Sequence, residues 1–176
     1  MEKREMFELL NKQMNFEDYS AHIYLDMAAY CHAKGYKGLA SWFHINYDEE
    51  MFHMQKFFAY LLDVDFRPTI LKWDVDPTGE YGSLLELAKV GLAHEKEVTE
   101  RILHLYETAK ALNDYATMKF LEFFISEQVE EEAKFKELID KLEMIQDNTV
   151  GLYMIDKEYA AIPNNVPANP NVTPAA

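Results

Sequence analysis

Cysteine is nearly absent. Cys31 stands alone among 176 residues, which excludes an internal disulfide framework and any cysteine-rich zinc or rubredoxin-like iron module. A reducing cytoplasm is the expected compartment. Basic residues are also in short supply: 17 Lys and Arg against 31 Asp and Glu leave a formal charge of −14. That balance disfavours contact with nucleic acid or an anionic membrane and makes cations the natural partners. No apolar run approaches the ~18 residues that a membrane span requires, and the charged start Met-Glu-Lys-Arg-Glu-Met-Phe-Glu lacks the apolar stretch of a signal peptide. Glycine and proline number six each, and no proline falls between Thr78 and Ile162. Nothing there interrupts the i to i−4 hydrogen-bond ladder, which favours long helices over short strands. With 49% apolar residues, the chain is long enough to bury one core.

Five helices are expected, giving an all-α fold. The first covers about 4–33 and stops at Gly35, a left-handed cap; the second covers about 38–63. The third begins after Ser83 and ends near Lys110, and the fourth follows Asp114 and ends near Ile145, with both residues read as N-caps. A short fifth covers about 150–159. Links at 34–37 and 111–113 are short, so each flanking pair is antiparallel. The connector 64–81 spans up to ~59 Å, more than the ~40 Å of one such helix, and so crosses the bundle and leaves helices two and three parallel. The result is a four-helix bundle with one long crossover. The Pro-rich segment 161–176 is expected to be an extended or disordered tail after a domain of residues 1–160, and its Asn171-Val-Thr173 matches a glycosylation sequon by pattern alone.

The core-facing seams carry the chemistry. At alternating steps of three and four, helix one reads Phe7, Leu10, Met14, Glu17, Ala21, Tyr24, Ala28, and helix two reads Leu39, Phe43, Asn46, Glu50, His53, Phe57, Leu61. Helix three reads Leu84, Ala88, Gly91, Glu95, Val98, Ile102, Leu105, and helix four reads Phe124, Gln128, Glu131, Phe135, Leu138, Leu142. Each seam is apolar at both ends and carries a carboxylate near its middle. The four interruptions lie at one height, where buried carboxylates cost several kcal/mol each unless neutralised. No Lys or Arg occupies these seam positions, so a cation from outside the chain is expected. Oxygen ligands with the single imidazole of His53 suit a borderline first-row metal, iron above all. Glu50 and His53, three residues apart, reach one ion together, while Glu50 also bridges to a second. Tyr24 is either a core tyrosine or a neighbour of the metal. The run 127–132 covers more than a full turn, so half of it belongs to the surface, and His22, His32, His44, His94 and His104 fall off the seams, facing solvent or other subunits.

These segments resemble the bacterial-type non-haem ferritins. The likeness is carried by Asn11-Lys-Gln-Met-Asn-Phe-Glu17-Asp-Tyr-Ser20, Glu49-Glu50-Met-Phe-His53-Met-Gln55, the run from Phe120 to Glu132 and Gly151-Leu-Tyr-Met-Ile-Asp-Lys157. The resemblance implies a ferritin-like fold and a ferroxidase centre in which Glu17, Glu50 and His53 hold a first iron. Glu50, Glu95 and, more loosely, Gln128 and Glu131 would serve the second. Glu49, Glu127, Glu130 and Glu131 match a third iron position toward an inner cavity, and Tyr24 matches a tyrosine that supplies an electron. It further implies a cage of 24 subunits that oxidises Fe(II) with dioxygen or peroxide and stores ferric mineral.

Two departures matter. Related di-iron proteins carry a second Glu-x-x-His on helix four, whereas this chain has Gln128-Val-Glu-Glu131, so its second iron should be held more weakly. Met51 falls where haem-binding relatives place an axial methionine, but the non-haem branch carries methionine there too, so no haem is expected. The alternatives are a smaller di-iron oxidoreductase or peroxidase without storage, and a metal-free helical interaction module.

Overall fold

The computed structural model describes residues 3–146 and 148–168. Among them are five helices and no strand: α1 (Lys3–Ala33), α2 (Lys37–Asp63), α3 (Leu84–Ala111), α4 (Tyr115–Ile145) and α5 (Thr149–Ala160). The caps follow local chemistry. Gly35 turns the chain out of α1 at a φ of 91°, the left-handed region where a side chain would be strained. The Ser83 and Asp114 side chains accept from the backbone N–H groups of Glu86 and Thr117, as their sequence positions predict. Asn148 caps α5 in the same way, so the helix begins at Thr149, one residue before the Val150 start that the sequence suggested.

α1 packs against α2 and α3, and α3 against α4, while α5 lies across the start of α2. There, an atom added at Gly38 would stand 1.7 Å from the Asp156 carbonyl oxygen, so only glycine permits the approach. The Leu39 N–H donates to the Asp156 carboxylate beside it. α2 and α4 meet through large rings: Phe57 lies 4.4 Å from Phe124, and Tyr60 stacks on Phe120 at 4.1 Å.

The crossover climbs the outer face of α1. Phe66 meets Phe7 near one end of the helix, and Tyr81 meets Tyr30 near the other. Between them, the Asn11 and Asn15 side chains each donate to and accept from the strap at Thr69 and Leu71, with distances of 2.7–3.1 Å. The Trp73 indole donates to Asp18, and Gly79 N–H and the Tyr81 hydroxyl donate to Asp26. Positions 11, 15, 18 and 26 of α1 thus satisfy backbone and side-chain groups of a segment that has no secondary structure of its own. The crossover delivers α3 to the end where α2 begins, which makes those two helices parallel.

The core has two apolar halves. One gathers Tyr24, Met27, Leu39, Trp42, Phe43, Leu87, Phe135 and Leu138; the other gathers Met6, Leu10, Met14, Phe57, Leu61, Ile102, Leu121 and Phe124. On α1 the first seam position is Met6 rather than Phe7, which is only half-buried. Beyond Ala160 the segment to Ala168 has no helix, and Asn164 donates to Asp48 on α2. The expectations for the rest of the tail, including the Asn171 sequon, lie outside the described residues.

Asn15 is buried, and its Oδ1 and Nδ2 serve Leu71 N–H and the Thr69 carbonyl. Asn15→Ala strands both partners and should cost about 1–3 kcal/mol, with faster amide exchange at Leu71. Denaturant unfolding with hydrogen exchange checks this, and unchanged protection at Leu71 would contradict it.

Candidate metal centre

Between the two apolar halves lies one polar layer: Glu17, Glu50, His53, Glu95, Gln128 and Glu131, none more than 4% exposed. Each comes from the middle of its helix, and each is flanked along the same face by core residues, so helix packing alone draws them together. One ligand atom from each of Glu17, Glu50 and His53 lies within 4.8 Å of the others. Gln13, one turn before Glu17, donates to Glu17 Oε1 at 3.0 Å. Glu17 Oε2 and Glu50 Oε2 are buried without any hydrogen-bond partner. Two unpartnered, buried carboxylate oxygens beside an imidazole form a donor set that suits a divalent first-row cation.

Across the layer, Glu95 accepts from the Tyr24 hydroxyl through Oε1 and from the Gln128 amide at 3.0 Å through Oε2. Gln128 also donates to the Glu95 carbonyl, and its amide lies 3.3 Å from the Thr99 hydroxyl. These bonds orient Glu95, the candidate for a second ion shared with Glu50. His53 sits between carboxylates, with Nδ1 3.6 Å from Glu50 and Nε2 3.8 Å from Glu127.

The electrostatics follow from burial. Desolvation raises Glu17 well above the ordinary carboxyl range, and the nearby Glu50 adds to the rise. Desolvation likewise carries Glu50 and Glu95 to about 7 each. Burial alone would lower His53, but its bonds to Glu127 and Glu50 prevail and raise it. Tyr24 is raised by burial and by Glu95, so it remains a neutral donor.

Two sequence expectations are corrected. The layer is not wholly without an internal cation: the Lys134 ammonium reaches Glu131 at 2.8 Å and Glu49 at 3.1 Å. Lys134 is not on the seam of α4 but one helical turn from Glu131, and its long stem brings the charge in from the side. Glu17, Glu50 and Glu95 have no such partner among the described residues. His94 does not face outward. It is buried at the contact of α1 with α3, with Nε2 2.7 Å from the Ser20 hydroxyl, and burial lowers it to about 4, so the ring is neutral. Glu49 and Glu127 are half-buried at the edge of the layer, whereas Glu130 is exposed and takes part in none of its hydrogen bonds or ion pairs. Gln13, Thr99 and Lys134 were not anticipated. Gln13 and Lys134 each stand one turn from a seam glutamate, a spacing that makes side-chain contact possible without requiring it.

A family described as a ferritin-like domain matches residues 7–145. Relatives named bacterial non-heme ferritin, from Escherichia coli O6:H1 and Staphylococcus epidermidis, are each 42% identical to this chain over 92% of its length and 98% and 96% of theirs. The chain belongs to the bacterial non-haem ferritins. A structure of Archaeoglobus fulgidus ferritin engineered to a closed form superposes with a TM-score of 0.89 at 35% identity, covering 93% of this chain and 99% of that one. The open-pore ferritin of the same archaeon gives 0.87 at 36%, covering 90% and 98%. Iron storage is accordingly the function of this chain.

The raised carboxyls give stability a definite pH dependence. Glu50 and Glu95 have an ordinary value of 4.5 and sit at about 7 when folded, so the folded chain binds more protons than the unfolded chain in between. Their contribution is complete below 4.5 and is lost as pH rises through about 7, by at most ~1.4 kcal/mol per pH unit for each carboxyl. Denaturation of metal-free protein between pH 5 and 8 should show this decline, flattened in Glu50→Gln. A profile that rises with pH would contradict it.

Proposed function

We propose that this ferritin is a ferroxidase that oxidises Fe(II) at the polar layer and passes Fe(III) to the interior of a cage. The observation that carries this reading is the buried cluster of Glu17, Glu50 and His53, with two carboxylate oxygens left without partners. Fe(II) is the substrate. Glu17, Glu50 and His53 take the first ion, and Glu50, Glu95 and, more loosely, Gln128 and Glu131 take the second. Two Fe(II) ions side by side supply the two electrons that reduce dioxygen to peroxide, or peroxide and two protons to two waters. Carboxylate oxygens favour the Fe(III) that results. Tyr24, donating to Glu95, is the residue placed to give a further electron, with its phenolic proton passing to that carboxylate. The loosely built second position, with Gln128 where a histidine would hold iron firmly, suits a site that hands iron onward. Glu49, Glu127, Glu130 and Glu131 would form the onward position. No haem enters this reading.

Assembly into a cage of 24 subunits is supported by the likeness to ferritins and by apolar side chains left exposed on α1 and the crossover: Leu25, Ile70, Leu71 and Val75. A cytoplasmic location agrees with the single unpaired cysteine, and no helix among the described residues is long and apolar enough to cross a membrane. The domain would comprise residues 1–160, followed by the Pro-rich segment.

The test is stopped-flow absorbance after aerobic mixing with about two Fe(II) per chain, with light scattering for particle mass. Wild type should show a fast, saturable phase from a particle of some two dozen chains. Glu17→Ala and His53→Ala should slow that phase by at least about tenfold while keeping the particle intact, because each removes a ligand without removing core packing. An unchanged rate in both variants would overturn the assignment of the site.

A further inference from the structure

The internal cation of the layer lies at its edge, away from Glu17, Glu50 and His53, and its position is specific. The Lys134 ammonium lies 2.8 Å from Glu131 Oε1 on its own helix and 3.2 and 3.1 Å from the two oxygens of Glu49 on α2. A lysine three residues from a glutamate on a helix surface is ordinary and weak. Here the same ammonium also takes both oxygens of a carboxylate on a second helix, and the Glu131 side chain is only 3% exposed. Glu49 and Glu131 are two of the four carboxylates of the onward position, while a third, Glu127, is turned toward His53 Nε2 at 3.8 Å. The charge that iron would supply between α2 and α4 is thus already supplied by the chain.

We propose that Lys134 is a tethered counter-cation that fills the onward carboxylate position and keeps it closed to iron until the ammonium is displaced. The proposal rests on the reading of the layer as an iron centre. A single positive charge on a flexible stem is shared between Glu49 and Glu131 in the empty protein, so the buried Glu131 is not left without a cationic partner. A divalent or trivalent ion at the same oxygens binds only by breaking both contacts, whereas the iron pair rests on Glu17, Glu50, His53 and Glu95 and meets Lys134 only through its loosest ligand, Glu131. Iron leaving the pair therefore finds no resting place at the layer's edge and passes on to the interior. Lys134 is a specificity-determining residue for metal occupancy and takes no part in the chemistry.

Anaerobic calorimetric titration of the intact protein with Fe(II) alone decides the matter, comparing wild type with Lys134→Met and Lys134→Arg. Wild type should saturate at two tight ions per chain. Lys134→Met should leave unchanged the first ion, none of whose ligands Lys134 bonds, which also reports native folding, should keep the second at least as tight as in wild type, and should add a third bound at least about tenfold more tightly than any third ion in wild type. Lys134→Arg, which keeps the charge, should behave as wild type. Equal stoichiometry and affinity in wild type and Lys134→Met would overturn the proposal, as would a third tight ion in wild type or in Lys134→Arg. Absence of the first two ions in every protein would overturn the iron centre, and this proposal with it, and is distinguished by the missing tight phase.

Discussion

The structure depends on a layer of carboxylates buried between two apolar clusters. Glu17, Glu50 and Glu95 each enter the bundle with no lysine or arginine beside them, and two of their oxygens find no hydrogen bond at all. An arrangement of that kind opposes folding, and the rest of the molecule compensates for it. Two aromatic-rich clusters clamp the layer from both ends, Gln13, Tyr24 and Gln128 bond the carboxylates they can reach, and protons are retained up to about pH 7 on Glu50 and Glu95. A divalent cation among these oxygens would relieve that cost, so the feature that opposes folding of the empty protein is the one that the proposed function uses to attract iron.

The crossover and the layer are parts of one design. With α2 and α3 parallel, Glu50 and Glu95 stand at one height, and that parallel arrangement requires a strap as long as the bundle. Asn11, Asn15, Asp18 and Asp26 hold the strap on the outer face of α1 while Glu17, Ala21 and Tyr24 of the same helix turn inward. One helix therefore carries the instructions for topology on one side and those for chemistry on the other.

Much of this was legible before any coordinates. Long proline-free stretches and the caps at Gly35, Ser83 and Asp114 fixed the helices to within a residue or two, because cap chemistry is local. The height of Glu17, Glu50, His53, Glu95 and Gln128 followed from seam periodicity, since a polar residue amid an apolar stripe has few places to go. What was missed depends on reach rather than register. Lys134 lies off the seam and returns to it through a four-carbon stem. His94, one residue from Glu95, is buried because α1 approaches α3 closely enough for Ser20 to bond it. The strap contacts of Asn11 and Asn15 involve partners more than fifty residues away, and nothing in the local pattern names those partners.

The central claim is that the buried layer is a paired site for ferrous iron. Anomalous X-ray scattering at the iron edge, from crystals soaked anaerobically in Fe(II), tests it most directly. The account predicts two peaks inside the bundle, one among Glu17, Glu50 and His53 and a weaker one against Glu95 and Glu50. Iron found only on the protein surface, with no peak between the four helices, would contradict it.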